Sequence, residues 1–215
     1  MFDPFGDFET AGYLRNVYEY KDKRRVSAAE RLEVQSNILE AADFLHKVRG
    51  GLRYSHVLKV HKTLFGGLYP WAGNDRAVTA PNLRISKAGL DDLFALPGQE
   101  RRAMEYALDQ AANPSTMRNK PGWIMGLIAY SHPFLDGNGR TIMLLHQELC
   151  FRSGFHIDWL KTDKSAYLQS LTKELQDPGK GILDAYLKPF VVDRKLGLRE
   201  SVVDQLALPG LNREP

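Results

Sequence analysis

The sequence predicts an all-α, mostly helical protein of one domain with one small β-hairpin, and three observations lead there. Apolar residues recur at three- and four-residue spacing along most of the chain. Glycine pairs and prolines cut those runs into segments of ordinary helix length. One stretch, residues 76–87, abandons the helical period: Val78, Thr79, Leu83 and Ile85 surround a Pro81-Asn82 turn.

In chain order, residues 1–26 are a lead-in. Its basic cluster, Lys21, Lys23, Arg24 and Arg25 around Asp22, reads as a solvated approach to the first helix. Ser27-Ala28-Ala29-Glu30 has the spacing of a capping box, in which the serine hydroxyl and the glutamate satisfy each other's backbone N–H. Leu32, Ile38, Leu39, Ala42, Leu45 and Val48 then follow at helical spacing to Gly50-Gly51, which end the helix. A second helix starts near Ser55 and carries Val57, Leu58, His61, Leu64 and Phe65. After the hairpin, helices are expected around 101–112, 123–130, 140–152, 165–175 and 182–190, so that the core runs over residues 27–194. Residues 195–215 form an extension with a last helix over 201–206.

Composition excludes several functions. With 215 residues, 43% hydrophobic and 26% charged, the chain can bury one sizeable core. A net charge of +3 is too small for a dedicated nucleic-acid binder. The single cysteine, Cys150, sits in an apolar helical run and reads as a buried small hydrophobe. The chain opens Met1-Phe2-Asp3-Pro4, unlike a secretory signal, and its longest uncharged stretch, Pro121 to Leu135, is too short for a bilayer. The expectation is a cytoplasmic protein with neither nucleic acid nor membrane as partner.

The chemistry concentrates in Ser131-His132-Pro133-Phe134-Leu135-Asp136-Gly137-Asn138-Gly139-Arg140. Pro133 disfavours helix at the residue before it, so the preceding helix should end there and present His132 at a loop. Gly137 and Gly139 flank Asn138 and allow backbone torsions that turn N–H groups towards an anion. A helix beginning at Arg140–Thr141 would aim its positive end at the same place. Arg140 offers forked donors suited to phosphate. Asp136 offers an oxygen to Mg²⁺, and His132 a base that titrates near neutrality. Spacing alone leaves two readings open: a phosphate-transfer site, or a turn with a satisfied histidine and an Asp–Arg ion pair.

This loop resembles the signature of the Fic (Fic/Doc, or Fido) family. Leu14-Arg15-Asn16 is similar to the family's short amino-terminal element, and Tyr69-Pro70-Trp71-Ala72-Gly73-Asn74-Asp75-Arg76-Ala77-Val78 to its tryptophan-glycine segment leading into a flap. Ser153-Gly154-Phe155 also fits. The resemblance implies a helical core with a β-hairpin flap, and AMPylation: ATP attacked at its α-phosphate by a Tyr, Thr or Ser hydroxyl of a target protein. His132 would then deprotonate the hydroxyl, Asp136 would hold Mg²⁺, and Phe134 would anchor the loop. Gly137, Asn138 and Gly139 would form the anion hole, and Arg140 would contact phosphate. The flap, Thr79, Ala80, Pro81, Asn82, Leu83, Arg84, Ile85 and Ser86, would align the target by strand-like backbone pairing.

One signature position differs. The family pattern has a second arginine one turn after the first, and here Met143 stands there. Three consequences are open: weaker use of ATP with another cation substituting, a different nucleotide or phosphate-containing donor, or a catalytically reduced, nucleotide-binding interaction module. The inhibitory Ser/Thr-x-x-x-Glu-Gly/Asn motif of many members is not matched. Ser36 to Ala41 and Ser170 to Leu175, with Glu40 and Glu174, both lack the closing residue. No Arg–Glu autoinhibition within the chain is therefore expected, while a separate small antitoxin remains a way to block the site. His56 and His61 lack the i, i+4 spacing of a zinc helix, His146 reads as a helix-face or core residue, and Trp71, Trp123 and Trp159 as core.

Overall fold

The computed structural model describes residues 14–82, 84–85, 93–195 and 197–206. They are mostly helical: α1 (Lys23–Lys47), α2 (Tyr54–Phe65), α3 (Arg76–Thr79), α4 (Glu100–Ala111), α5 (Pro114–Asn119), α6 (Pro121–Ser131), α7 (Asn138–Arg152), α8 (Lys164–Gln176), α9 (Ile182–Leu187) and α10 (Leu198–Leu206). The small sheet pairs β1 (Phe155–Ile157) antiparallel with β2 (Val191–Asp193), Phe155 opposite Asp193 and Ile157 opposite Val191. A helix that buries all its sides belongs at the centre of a core. That helix is α7, where every residue from Leu144 to Phe151 is buried and which packs against α1, α2, α6 and β1.

Helix α1 starts earlier than the capping-box reading predicts. Asp22 Oδ1 accepts from the Arg25 N–H at 2.9 Å and caps the helix, so Ser27 and Glu30 lie inside it. Its buried face is Val26, Val34, Ile38, Ala41, Ala42 and Leu45, whereas Leu32 and Leu39 are exposed. Two segments singled out in the sequence dock on one another: Val17 N–H donates to Leu68 O (2.9 Å) and Trp71 Nε1–H to Arg15 O (3.2 Å).

The predicted hairpin is corrected in its described part. Arg76–Thr79 is a helical turn, because Asp75 accepts from Val78 N–H through Oδ1 and from Thr79 N–H through its carbonyl. Pro81-Asn82 is a turn as expected, Arg84 and Ile85 are irregular, and Leu83 and Ser86 lie outside the described residues. The helix expected over 182–190 gives way after Leu187 to a 3₁₀ turn, Lys188–Phe190, and then β2. The short helix α5 and the β1–β2 pair were not anticipated.

Candidate active site

Helix α6 ends at Ser131, and His132 adopts the left-handed region (φ 39°, ψ 58°), a conformation uncommon for a side-chain-bearing residue. Buried Arg76 holds this turn from two sides. Its Nε–H donates to His132 O and its backbone N–H to Pro133 O, both at 2.7 Å. The same guanidinium donates to Ala95 O at 3.0 Å and pairs with buried Glu100 at 3.3 Å. Sequence reading placed Arg76 only at the head of the flap; it is a clamp on the histidine's own backbone. The His132 ring is half-buried and tilts against Phe94, 4.0 Å between centroids.

Beneath the loop, Phe134 is fully buried, and its N–H and C=O pair with the Asn138 side chain at 2.9 and 2.7 Å. Its ring stacks on His61 at 3.7 Å. His61 Nδ1 accepts from Gly73 N–H (2.9 Å), so Nε2 carries the proton and donates to Asp136 O (3.0 Å). Burial drives the His61 pKa down to about 3 and keeps the ring neutral. Gly137 has φ 75°, and a Cβ there would lie 2.6 Å from Phe65 Cε2, so this turn requires glycine.

Helix α7 begins at Asn138, two residues before the expected start. Its first intrahelical bond, Thr141 N–H to Gly137 O, leaves the N–H groups of Asn138, Gly139 and Arg140 without helix carbonyls. A cavity of about 500 Å³ opens beside this end, walled by α1, α7 and α8. Asp136, Gly137, Gly139, Arg140 and Glu30 form its polar end, while Val34, Ile38, Ile142, Met143, Trp159 and Tyr167 are among its apolar walls. His132 and the Asn138 side chain do not line it. Arg140 pairs with Glu30 at 2.7 Å and lies over the Phe65 ring at 4.8 Å. Burial raises the Glu30 carboxyl above its ordinary range, opposed by Arg140 and reinforced by Asp136.

Asp136 tests whether magnesium suits the site. Its Oδ1 accepts from Gly137 N–H at 2.6 Å, and the exposed carboxylate lines the cavity. Among the described residues no group of three or more His, Cys, Asp or Glu could hold a metal. A single carboxylate on the wall of this cavity fits Mg²⁺, which takes one or two carboxylates and completes its shell from substrate and water.

The sequence profile of the Fic/DOC family matches residues 51–150, which span α2, the Arg76 clamp, the loop and most of α7. That stretch of the chain carries the Fic/DOC family profile. Over 209 residues the chain is 25% identical to the protein adenylyltransferase VbhT of Bartonella schoenbuchensis, covering 95% of itself and 43% of VbhT. It therefore spans less than half of that relative's length. It is also 26% identical over 169 residues to the probable protein adenylyltransferase y4lH of Sinorhizobium fredii, covering 74% of itself and 82% of y4lH. Among solved structures it superposes on BepC of Bartonella tribocorum, which holds AMPPNP (TM-score 0.72, 19% identity, 87% of this chain and 96% of that one). The N-terminal Fic domain of a Bartonella quintana effector gives TM-score 0.73 at 19% identity, covering 91% and 96%. These likenesses establish the fold.

Within this Fic fold the structure gathers Asp136, Gly137, Gly139 and Arg140 at one cavity and sets His132 at the adjoining turn. Neither motif glutamate is on the cavity wall: Glu40 is exposed, and Glu174 is buried accepting from Gly179 and Leu183 N–H groups. An Arg–Glu contact exists all the same, between Arg140 and Glu30. Sequence reading missed it, and missed His61 as the support of Asp136, because both join residues far apart in the chain. The Met143 side chain, in place of the second arginine, is part of the cavity wall. Cys150 and His146 are buried as expected, burial holding the thiol well up and His146 down at about 4. Trp71 and Trp159 are buried, and Trp123 is half-buried against the core.

Proposed function

We infer that this chain is a protein adenylyltransferase that moves AMP from ATP to a Tyr, Ser or Thr hydroxyl of another protein. One observation carries this: the N-terminal end of α7, with Asp136 and Arg140, faces a cavity of nucleotide size while His132 sits at the turn beside it. The names of VbhT and y4lH agree with it.

His132 does not line the cavity and sits on the turn beside it, where the target's hydroxyl would have to be presented. The imidazole takes the hydroxyl proton as the oxygen attacks the α-phosphorus. A new P–O bond forms to the target, the bond to the β-phosphate bridge breaks, and pyrophosphate leaves. The N–H groups at the start of α7 and the Arg140 guanidinium oppose the charge gathering on the α-phosphate, and need no rearrangement to do so. Bound Mg²⁺ would neutralise phosphate charge, and Asp136 is the residue to hold it. The Arg76 and His61 bonds keep His132 and Asp136 in fixed relation, which is where positioning enters the rate.

α-Labelled ATP incubated with a lysate should label protein with the wild-type chain and lose that label on the order of 10²–10⁴-fold with His132→Ala. γ-Labelled ATP should label nothing; transfer of that label would make the protein a kinase and end this reading. Met143 and the Glu30 hold on Arg140 favour a second reading, a nucleotide-binding module without transfer. Calorimetry that detects ATP binding, together with no labelled protein, would select it.

A further inference from the structure

Among the described residues, three cations from three elements reach the cavity wall: Arg31 of α1, Arg140 of α7 and Lys164 of α8. Arg140 spends part of its charge on Glu30, 2.7 Å away, and the next turn of α7 offers only Met143. Among the described residues that line the cavity, the other cations are Arg31 on α1 and Lys164 on α8. Ser27, Glu30, Arg31 and Val34 share one face of α1 by their i, i+3, i+4, i+7 spacing, and that face borders the cavity. Arg31 follows Glu30 directly, so it enters the cavity from the turn of α1 that already touches Arg140. It is half-buried, where a charge–phosphate contact is less screened, and its fork of donors matches a phosphate edge. Lys164 is exposed at the first turn of α8, where water screens it.

We propose that Arg31 contacts the terminal phosphates of the nucleotide donor, so that this chain's preference for a triphosphate over a monophosphate is set by α1. The proposal rests on the nucleotide reading above and adds to it the residue that distinguishes one donor from another. It gives the neutral Met143 a counterpart across the cavity. α1 then carries both a carboxylate that engages Arg140 and a guanidinium that engages the leaving group.

Titration calorimetry with Mg²⁺ and either AMP or a non-hydrolysable ATP analogue tests it on the whole chain. The wild type should bind the triphosphate more tightly than AMP. Arg31→Ala, a change compatible with helix, should weaken the triphosphate on the order of tenfold or more and leave AMP within about twofold. The unchanged AMP affinity shows that the variant is folded. An equal loss for both ligands, no loss for either, or a selective loss in Lys164→Ala instead would overturn the assignment while leaving the nucleotide reading intact. A wild type that binds neither ligand would overturn both.

Discussion

The loop from His132 to Arg140 has an inner side and an outer side, and they are built on opposite principles. On the inner side Phe134, Asn138, His61 and Arg76 are buried, and their polar atoms meet named partners at 2.7–3.3 Å. On the outer side Asp136 and Gly139 are exposed, and the first N–H groups of α7 have no helix carbonyl to meet. The inner side spends hydrogen bonds and burial on holding one backbone path. The outer side leaves polar groups to be completed by something that is not this chain. A substitution on the inner side should therefore register in stability first, and one on the outer side in ligand binding alone.

The largest effect should come from Arg76→Met. It leaves Glu100 as a buried charge with its partner removed, at a cost of about 3–5 kcal/mol in urea denaturation. The double change with Glu100→Gln should recover much of this; recovery of nothing would show that the bonds to His132 and Ala95 matter more than the ion pair. Phe134→Ala should cost a comparable amount, about 3–5 kcal/mol, by opening a cavity against His61. Gly137→Ala should cost about 2–4 kcal/mol from backbone strain and the clash with Phe65. A neutral result there would show that the inner side yields more readily than its packing indicates.

Acid supplies a graded test. His61 and His146 are held near 3 and 4, below the ordinary 6.5, so the unfolded chain binds protons that the folded chain refuses. Their contribution is present in full above about pH 6.5 and is lost as pH falls through the folded values. The urea midpoint should decline steadily below about pH 6.5, and less steeply in His146→Gln. A flat profile over that window would contradict the burial of both rings. The smallest stability change is expected on the outer side: Asp136→Asn should stay within about 0.5 kcal/mol of wild type. If the nucleotide reading holds, it should nonetheless weaken Mg²⁺-dependent nucleotide binding clearly. A large loss of stability in that variant would erase the contrast between the two sides.

Most of the helices were legible because their signals are local. A proline after His132 and a glycine at 137 act within a few residues, and the period of three to four in α2, α6 and α7 is visible without any partner. Two misreadings came from competing local signals. Asp22 capped α1 ahead of Ser27, and Asp75 drew Arg76–Thr79 into a helical turn where β-branched residues had suggested a strand. The strand Phe155–Ile157 is three residues long, and its partner lies more than thirty residues away, so no short window reveals it.

By itself the sequence determined that the chain is helical, that a histidine stands where one helix stops, and that glycines open the way to the next. Those outcomes depend on backbone torsions, which each residue and its neighbours largely decide. Only the tertiary structure decided that Arg76 grips His132, that His61 carries Asp136, that Glu30 faces Arg140, and that Arg31 and Met143 share one cavity. Such contacts join residues tens of positions apart, and burial creates them. The order of residues says which groups are available, but the packing of α1, α2 and α7 chooses which of them meet.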